Sequence, residues 1–197
     1  MGRHRCSVPT DVVWDDVLIG GIEKRDIVVE DYDPLWPKKF AHHAEIIRKV
    51  LGPTALLIEH VGSTSVPGLA AKSIIDILVV VKDSSDEEVY LFPLVAADYV
   101  LRVREPEWHQ HRMFRTRGLD VHIHVFSLGC AEVERVLAFR DWLRSSADDR
   151  KLYESVKRDL SRQDWADMNA YAQAKSVVID EILARRLTLQ RATGGDS

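Results

Sequence analysis

The sequence predicts an α+β protein in which a β-sheet layer carries a helical cap or subdomain. Six short apolar segments of strand length, separated by turn residues, lie before residue 128. From Ala131 onward the chain changes character, and apolar residues recur at the three- and four-residue spacing of helices. A mixed α and β half followed by a helical half is the order expected for such a layered domain.

The first elements surround a loop of small residues. Ile27–Glu30 is predicted to form a short strand. A helix is predicted from Pro34 to Val50, with Asp33 as its N-cap, proline at its first position and Gly52 as its stop. A strand over residues 55–61 then leads into a loop over residues 62–68, which contains Pro67.

The next elements build the sheet. Ile74–Val81 is apolar and β-branched on both faces, which is typical of an interior strand. Residues 84–87 can cap a helix that runs to about Ala97, although Pro93 limits or kinks it. Three more strands are predicted over Tyr99–Arg104, Arg112–Thr116 and Val121–Phe126.

The helical half is predicted to contain two or three helices, with breaks near residues 145–147 and 163–164. Residues 1–26 are treated as an N-terminal extension, with a short helix as one option over Val12–Ile19. The predicted domain covers residues 27–187, with its sheet part in 27–128 and its helical part in 131–187. Residues 188–197 are predicted to form a flexible tail.

Composition narrows the functional class. The 197 residues are 46% hydrophobic and 29% charged, which is ordinary for a globular domain. The net charge of −4 disfavours a dedicated nucleic-acid binder. No apolar run reaches the length of a membrane span, and the first residues lack the apolar region of a secretory signal. We predict a cytoplasmic protein, and the sequence leaves open whether it forms a homo-oligomer.

The loop and the following strand carry the most informative chemistry. Gly62, Ser63 and Thr64 offer backbone N–H groups and hydroxyls that can bind phosphate oxygens. Asp76 lies in an otherwise apolar strand, where a carboxylate must be paired or bound to a cation. The alternatives are an ordinary strand–turn connection and a salt bridge from Asp76 to a nearby lysine or arginine, for which Lys72, Arg112 and Arg115 are the candidates.

Histidines extend the candidate metal site. His122 and His124 alternate with aliphatic residues, so both lie on one face of their strand. If this strand neighbours Asp76, a histidine can join a metal site, and His60 could contribute from the end of an earlier strand. Imidazole suits zinc, manganese, iron or nickel better than magnesium. The alternative is that the histidines form a polar sheet face or contact a substrate.

The segment HVGSTSVPGLAAKSIIDI, residues 60–77, resembles the signature of the GrpB family, also called UPF0157. The resemblance extends upstream to Val29–Pro37, downstream to residues 122–125 and into the helical half, from about residue 27 to about 185. It implies a mixed sheet of the nucleotidyltransferase type found in DNA polymerase beta. In that pattern Gly62 and Ser63 match the Gly-Ser turn and Asp76 the first aspartate. Leu78 occupies the position of the second aspartate.

The resemblance implies a metal-dependent nucleotidyltransferase that moves a nucleotidyl group, with adenylyl from ATP as the expected case, to a small molecule. Asp76 and Ser63 would be catalytic, with Mg²⁺, or else Mn²⁺ or Zn²⁺, as the metal. Transfer to a carboxylate would make it an adenylate-forming ligase step. The basic residues Lys72, Arg112 and Arg115 are candidates for binding the phosphates. The resemblance adds the helical residues Lys157, Tyr171 and Lys175, which would reach over the triphosphate. The alternative is a module that binds a nucleotide or phosphorylated metabolite without catalysis, in a context related to CoA.

Overall fold

The computed structural model describes residues 17–21, 26–165 and 168–193, and its centre is a five-stranded mixed sheet. The strands lie in the order β1-β2-β5-β4-β3. β2 and β5 are parallel neighbours, whereas every other neighbouring pair is antiparallel. The strands are β1 (Leu57–Val61), β2 (Ile75–Val81), β3 (Tyr99–Glu105), β4 (His111–Thr116) and β5 (Val121–Ser127).

One face of the sheet is covered by the first two helices, α1 (Trp36–Leu51) and α2 (Leu91–Ala96). Apolar side chains from alternate positions of β2 and β5 form the main core here, because side chains of successive strand residues point to opposite faces. Ile47 of α1 and Leu94 of α2 are fully buried against them. This face therefore supplies stability and holds β2 and β5 in register.

The other face is covered by the C-terminal helices. Leu78 and Val80 of β2 pack with Phe126 of β5, and this cluster contacts Val133 and Leu137 of the first of those helices. The helices are α3 (Ala131–Ser145), α4 (Ala147–Ser161) and α5 (Met168–Thr193). Asp76, His122 and His124 belong to this same face, which places them beneath the helical half.

The helical half also closes over the loop between β1 and β2. Val66 and Leu69 of that loop are fully buried with Leu143 of α3, Tyr153 of α4 and Ile182 of α5. The loop thereby becomes a packed part of the domain, fixed between the sheet and three helices. Among the described residues, no helix combines the length and the apolar character that crossing a membrane requires.

Several sequence predictions are confirmed, including α+β architecture, the interior position of β2 and the helix breaks near residues 145–147 and 163–164. The predicted strand at Ile27–Glu30 is wrong, since only Glu30 pairs, as an isolated bridge to Ala71. Helix α1 begins at Trp36 rather than Pro34, because Asp33 instead accepts the N–H groups of Leu35 and Trp36 in a turn that precedes the helix.

The helix predicted between residues 84 and 97 is shortened. Ser84 is fully buried, its hydroxyl donates to the Gln110 carbonyl, and its own carbonyl accepts from the Tyr90 hydroxyl. These anchors leave a 3-10 turn at Glu87–Val89 and allow the α-helix to start only at Leu91. The short helix predicted over Val12–Ile19 lies mostly outside the described residues. The last helix continues to Thr193, beyond the predicted domain limit at 187.

Candidate cation and phosphate site

Three potential ligand side chains meet where β2 and β5 begin. Asp76 lies directly opposite His122 in the parallel register, and His124 lies two residues further along the same face. Asp76 Oδ1 is 3.5 Å from His122 Nδ1 and 3.4 Å from His124 Nε2. One donor atom from each residue lies within 4.8 Å of the others. We call these three residues the Asp–His–His group.

The Asp–His–His group is partly open to solvent, because its side chains keep between 23% and 29% of their exposure. Burial would raise the pKa of the Asp76 carboxyl, but hydrogen bonds from His122 and His124, together with their charge, outweigh burial and hold the pKa well below its usual range. Asp76 is therefore an anion at neutral pH, in a place that a cation from solvent can reach.

Gly62 closes one side of this group. Its backbone has φ 66° and ψ −174°, a conformation that is essentially restricted to glycine. A Cβ atom added there would lie 2.3 Å from Asp76 Oδ2. Glycine is therefore required both by the backbone conformation and by the contact with the Asp76 carboxylate. The sequence pattern singled out this glycine, and the structure supplies the reason for it.

In the turn that follows, Ser63–Ser65, two hydroxyls form hydrogen bonds within the protein core and one lies at the candidate site. Thr64 is buried, donates to the Ile74 carbonyl and receives a hydrogen bond from His60 Nε2 at 3.1 Å. The Ser65 hydroxyl donates to the Gly62 carbonyl at 2.6 Å. Only Ser63 of the three is partly exposed, and it is hydrogen-bonded to the Tyr153 hydroxyl. Thus Ser63 is the hydroxyl of this turn that a ligand can reach.

His60 is not brought into the Asp–His–His group. It pairs with Ile77 in the β1–β2 register, so its side chain lies on the face opposite Asp76 and stacks on Phe40 with ring centroids 4.7 Å apart. Burial lowers the pKa of His60 to about 4, despite the opposing charge of Asp76. His60 is therefore a neutral core histidine, and it stabilises the turn through its hydrogen bond to Thr64.

Three lysines gather beside the same turn, and we call Lys72, Lys157 and Lys175 the lysine group. The ammonium groups of Lys72 and Lys175 lie 5.1 and 4.8 Å from the centroid of the Tyr171 ring. Lys157 lies 4.8 Å from the centroid of Tyr153, the residue bonded to Ser63, and donates to the Ala70 carbonyl. Tyr171, Lys157 and Lys175, predicted as a set, are indeed neighbours.

The lysine group includes one buried lysine. Lys157 is 2% exposed, and burial followed by the charge of Lys175 lowers its pKa to about 7, with Glu154 opposing this shift. A bound anion would favour the charged form of this lysine. Ammonium groups gathered around tyrosine rings, beside a Gly-Ser turn, are suited to binding a phosphate chain.

The two arginines predicted to bind phosphate, Arg112 and Arg115, lie on opposite faces of the sheet. Arg112 is buried on the face away from Asp76, and its Nε donates to Glu87 Oε1 at 2.5 Å. Its role is structural within these contacts. Arg115 lies opposite His122 in the β4–β5 register, on the face of the Asp–His–His group, and is partly exposed. The strand alternation predicted that the two would lie on opposite faces, and the register decides which one faces the site.

Four residues at the site were not among the site residues predicted from the sequence. Glu105 and His111 form a hydrogen-bonded pair that continues to His124, Tyr153 bonds Ser63, and Arg144 donates to the Ser65 carbonyl at 2.9 Å. Alternation along β4 placed His111 on one face but gave no sign that this was the face of His124. A tyrosine or arginine on a helix carries no local signal of the loop that it contacts.

The Asp–His–His group fits a divalent cation, since it supplies one carboxylate and two imidazole nitrogens on neighbouring strands. Leu78 takes the place where the related pattern has a second aspartate, and it is fully buried in the apolar cluster with Val80 and Phe126. The donor set therefore differs from the all-oxygen set that magnesium prefers.

Comparison with known proteins places the chain in a family. The family model described as "GrpB protein" matches residues 26–185. A UPF0157 protein of Streptomyces coelicolor is 51% identical over 184 residues, covering 93% of this chain and 94% of that protein. A UPF0157 protein of Halalkalibacterium halodurans is 49% identical over 178 residues, covering 89% and 91%.

Solved structures agree on the fold. The conserved protein GrpB of Enterococcus faecalis superimposes with a TM-score of 0.70 at 27% identity, over 81% of this chain and 99% of that chain. The Cid1 poly(U) polymerase, solved with Mg and 3'-dATP bound, gives a TM-score of 0.52 at 13% identity over 68% of this chain and 44% of that chain. The second likeness is one of fold alone, and it confirms the predicted nucleotidyltransferase-type sheet.

Proposed function

The chain belongs to the GrpB family, and we propose that it transfers a nucleotidyl group, adenylyl in the first instance, from an NTP to a small-molecule acceptor. One observation carries the proposal. A group suited to a cation, Asp76 with His122 and His124, and a group suited to phosphates, the lysine group, lie on either side of the Gly62–Ser63 turn. Phosphoryl and nucleotidyl transfer need both of these charges close together.

In this arrangement the phosphates lie against the backbone of Gly62 and the hydroxyl of Ser63. The lysine group neutralises the phosphate charge, and Tyr153 orients Ser63. A divalent cation held by the Asp–His–His group would offset charge on the reacting phosphate oxygens. The acceptor oxygen or nitrogen attacks the α-phosphorus, the bond between the α-phosphorus and the bridging oxygen breaks, and pyrophosphate leaves while the acceptor proton passes to solvent.

A carboxylate acceptor, which has no proton to lose, would give an acyl-adenylate; an amine could then attack its carbonyl carbon to form an amide, with AMP as the leaving group and the amine proton passing to solvent. The charge requirement at the site is the same for either acceptor, because both reactions pass through attack at the α-phosphorus. The two versions therefore share the residues named above and differ only in the second substrate.

A second candidate, a module that binds a nucleotide or phosphorylated metabolite without catalysis, is favoured by Leu78. Chemistry with two metal ions uses carboxylates that bridge the ions, and a fully buried leucine at the second position removes one of them. The lysine group and the Gly62–Ser63 turn would still bind phosphates in such a protein, so binding alone does not distinguish the two functions.

The test combines binding with product formation. Wild type, Asp76→Ala and the matched control Asp159→Ala, whose carboxylate forms a surface ion pair with Arg162, are compared in a thermal-shift panel of the four NTPs with Mg²⁺, Mn²⁺ and Zn²⁺. A ligand bound only by the native state raises the melting temperature. We expect a cation-dependent NTP shift in wild type and the control that is lost in Asp76→Ala.

Transfer is tested with α-labelled NTP and pools of hydroxy, amino and carboxylic acceptors. Labelled product and pyrophosphate that depend on Asp76 support the transferase. An NTP shift with no product from any pool would favour the binding module, and an NTP shift that is equal in Asp76→Ala would refute the placement of the site.

A further inference from the structure

A chain of hydrogen bonds, buried at its outer end, runs from the β3–β4 strand pair to the Asp–His–His group. Glu105 Oε2 and His111 Nδ1 are 2.6 Å apart, and His111 Nε2 and His124 Nδ1 are 3.1 Å apart. Glu105 is 8% exposed and His111 is 5% exposed. His124 Nε2 then faces Asp76 Oδ1 at 3.4 Å. The remote end of this chain is the Glu105 carboxylate, which is linked to the site through His111.

The two imidazole rings meet edge to edge. Their planes differ by only 13°, and their centroids are 5.2 Å apart while the facing nitrogens are 3.1 Å apart. Such a centroid distance is close to the largest that this nitrogen separation allows, so the two nitrogens and the two ring centres are nearly collinear. A hydrogen on one nitrogen therefore points along the lone pair of the other, as a hydrogen bond between them requires.

The chain specifies where the hydrogens lie when a cation is bound. An ionised carboxylate only accepts, so Glu105 places a hydrogen on His111 Nδ1. A neutral His111 then has a lone pair on Nε2, which accepts the hydrogen of His124 Nδ1. A cation therefore displaces the hydrogen that His124 Nε2 donates to Asp76 in the metal-free site, and the freed lone pair is directed at the space shared with Asp76. A metal-binding histidine ordinarily donates its other ring N–H to such a partner, which fixes its tautomer.

The spacing of the donor atoms discriminates between cations. Two donors bound at about 2.0–2.1 Å lie about 3.3–3.4 Å apart at tetrahedral angles, but about 2.9 Å apart at the octahedral angles that Mg²⁺ demands. Asp76 Oδ1 lies 3.4 and 3.5 Å from the two imidazole nitrogens. These two distances from Asp76 match the tetrahedral arrangement, and two imidazole ligands suit zinc-type ions better than Mg²⁺.

We propose that Glu105 and His111 are positioning residues that hold the lone pair of His124 Nε2 towards Asp76, so that the Asp–His–His group selects a tetrahedral divalent cation of the zinc type over Mg²⁺. This inference rests on the cation half of the proposed function, and it is independent of whether a nucleotide is bound or transferred.

The first experiment measures Zn²⁺ affinity without nucleotide, by competition with a chromophoric chelator, in wild type, His111→Asn and His111→Gln. The glutamine amide can reach the position of the ring Nε2 and accept from His124, whereas the shorter asparagine amide reaches only the position of Nδ1. We expect the asparagine variant to bind Zn²⁺ about 10–100-fold more weakly and the glutamine variant to recover most of that loss. His43→Asn, on the other side of the sheet and bonded to Tyr99, is the matched control.

The stability of each metal-free variant is measured by urea unfolding. Equal metal-free stability of the two His111 variants with unequal Zn²⁺ affinity supports a positioning role, because a merely structural role would not separate them. Equal Zn²⁺ affinity in wild type and His111→Asn would overturn the proposal, and so would tighter binding of Mg²⁺ than of Zn²⁺ by wild type.

The second experiment needs no variant and decides the matter if the His111 variants do not fold. Long-range ¹H–¹⁵N spectra of zinc-loaded wild type report which ring nitrogen of each histidine carries hydrogen. We expect His124 to carry it on Nδ1, and a hydrogen on Nε2 would overturn the proposal. If wild type binds no divalent cation, the cation half of the proposed function fails too. If it binds Zn²⁺ but the His111 variants match wild type, only the present inference fails.

Discussion

Replacing Gly62 by alanine tests the site through its most crowded contact. The alanine must adopt φ 66° and ψ −174°, which costs about 1–3 kcal/mol for a residue with a Cβ. In a domain of this size, 1 kcal/mol corresponds to roughly 2–4 °C of melting temperature. The new Cβ would also lie 2.3 Å from Asp76 Oδ2, so the carboxylate must move away from its place beside His122 and His124.

Gly129→Ala separates the two effects. Gly129 also has a positive φ, of 79°, but a Cβ added there meets nothing within 4 Å, and the residue lies beyond the opposite end of β5. The control therefore carries backbone strain without the contact to Asp76. We expect both variants to melt several degrees below wild type, and only Gly62→Ala to lose binding of divalent cations and of NTPs.

The assay combines calorimetry, cation titration and the histidine ring signals in NMR spectra. The signals of His122 and His124 should shift in metal-free Gly62→Ala, because their carboxylate partner has moved, and should stay in place in Gly129→Ala. If Gly62→Ala kept the wild-type ring signals and cation affinity, the contact between Gly62 and Asp76 could not organise the site, and the reasoning would be refuted.

Three further predictions concern buried groups. The pKa of Lys157 is lowered to about 7, and a bound anion favours the charged form of this lysine. NTP affinity should therefore fall as pH rises above 7, by up to about tenfold per pH unit. The Lys157→Met variant should bind NTP weakly, and its affinity should depend less on pH. Leu78→Asp should lower the free energy of unfolding by about 3–5 kcal/mol without raising activity, since it puts a carboxylate in an apolar cluster. The pKa of His60 is about 4 in the folded protein, below its usual 6.5, so the unfolded chain takes up a proton at a higher pH than the folded protein does. The free energy of unfolding should therefore fall as pH is lowered from 6.5 to 4, and His60→Gln should reduce this dependence on pH.

Each of these predictions has a direct check. For Lys157, NTP affinity is measured by isothermal titration calorimetry between pH 6 and 9. The control variant is Lys151→Met, which replaces an exposed lysine elsewhere on α4. An equally steep fall of NTP affinity with pH in Lys157→Met would contradict the prediction. Urea unfolding tests Leu78, and a stable Leu78→Asp that turns over faster would show that the second acidic position is still usable. For His60, unfolding free energies at several pH values are compared, and identical slopes in wild type and His60→Gln would contradict its assignment as a neutral core histidine.

The sequence by itself determined what depends on neighbouring residues. Alternation placed His122 and His124 on one face of a strand, and glycine before Ser63 marked the turn, because both features follow from local backbone geometry. The positions of the helix breaks in the second half were equally local. The family resemblance then carried the fold and the pairing of the turn with Asp76, both on residues that can be read in order along the chain.

Only the tertiary structure decided which of these faces meet. The parallel pairing of β2 with β5 brings Asp76 opposite His122, and the β1 register turns His60 to the other side of the sheet. The same sheet order sends Arg112 to Glu87 and brings His111 to His124. Strand order and register are set by how whole apolar faces are buried between layers. No single segment contains that information, because it arises from contacts between residues far apart in the chain.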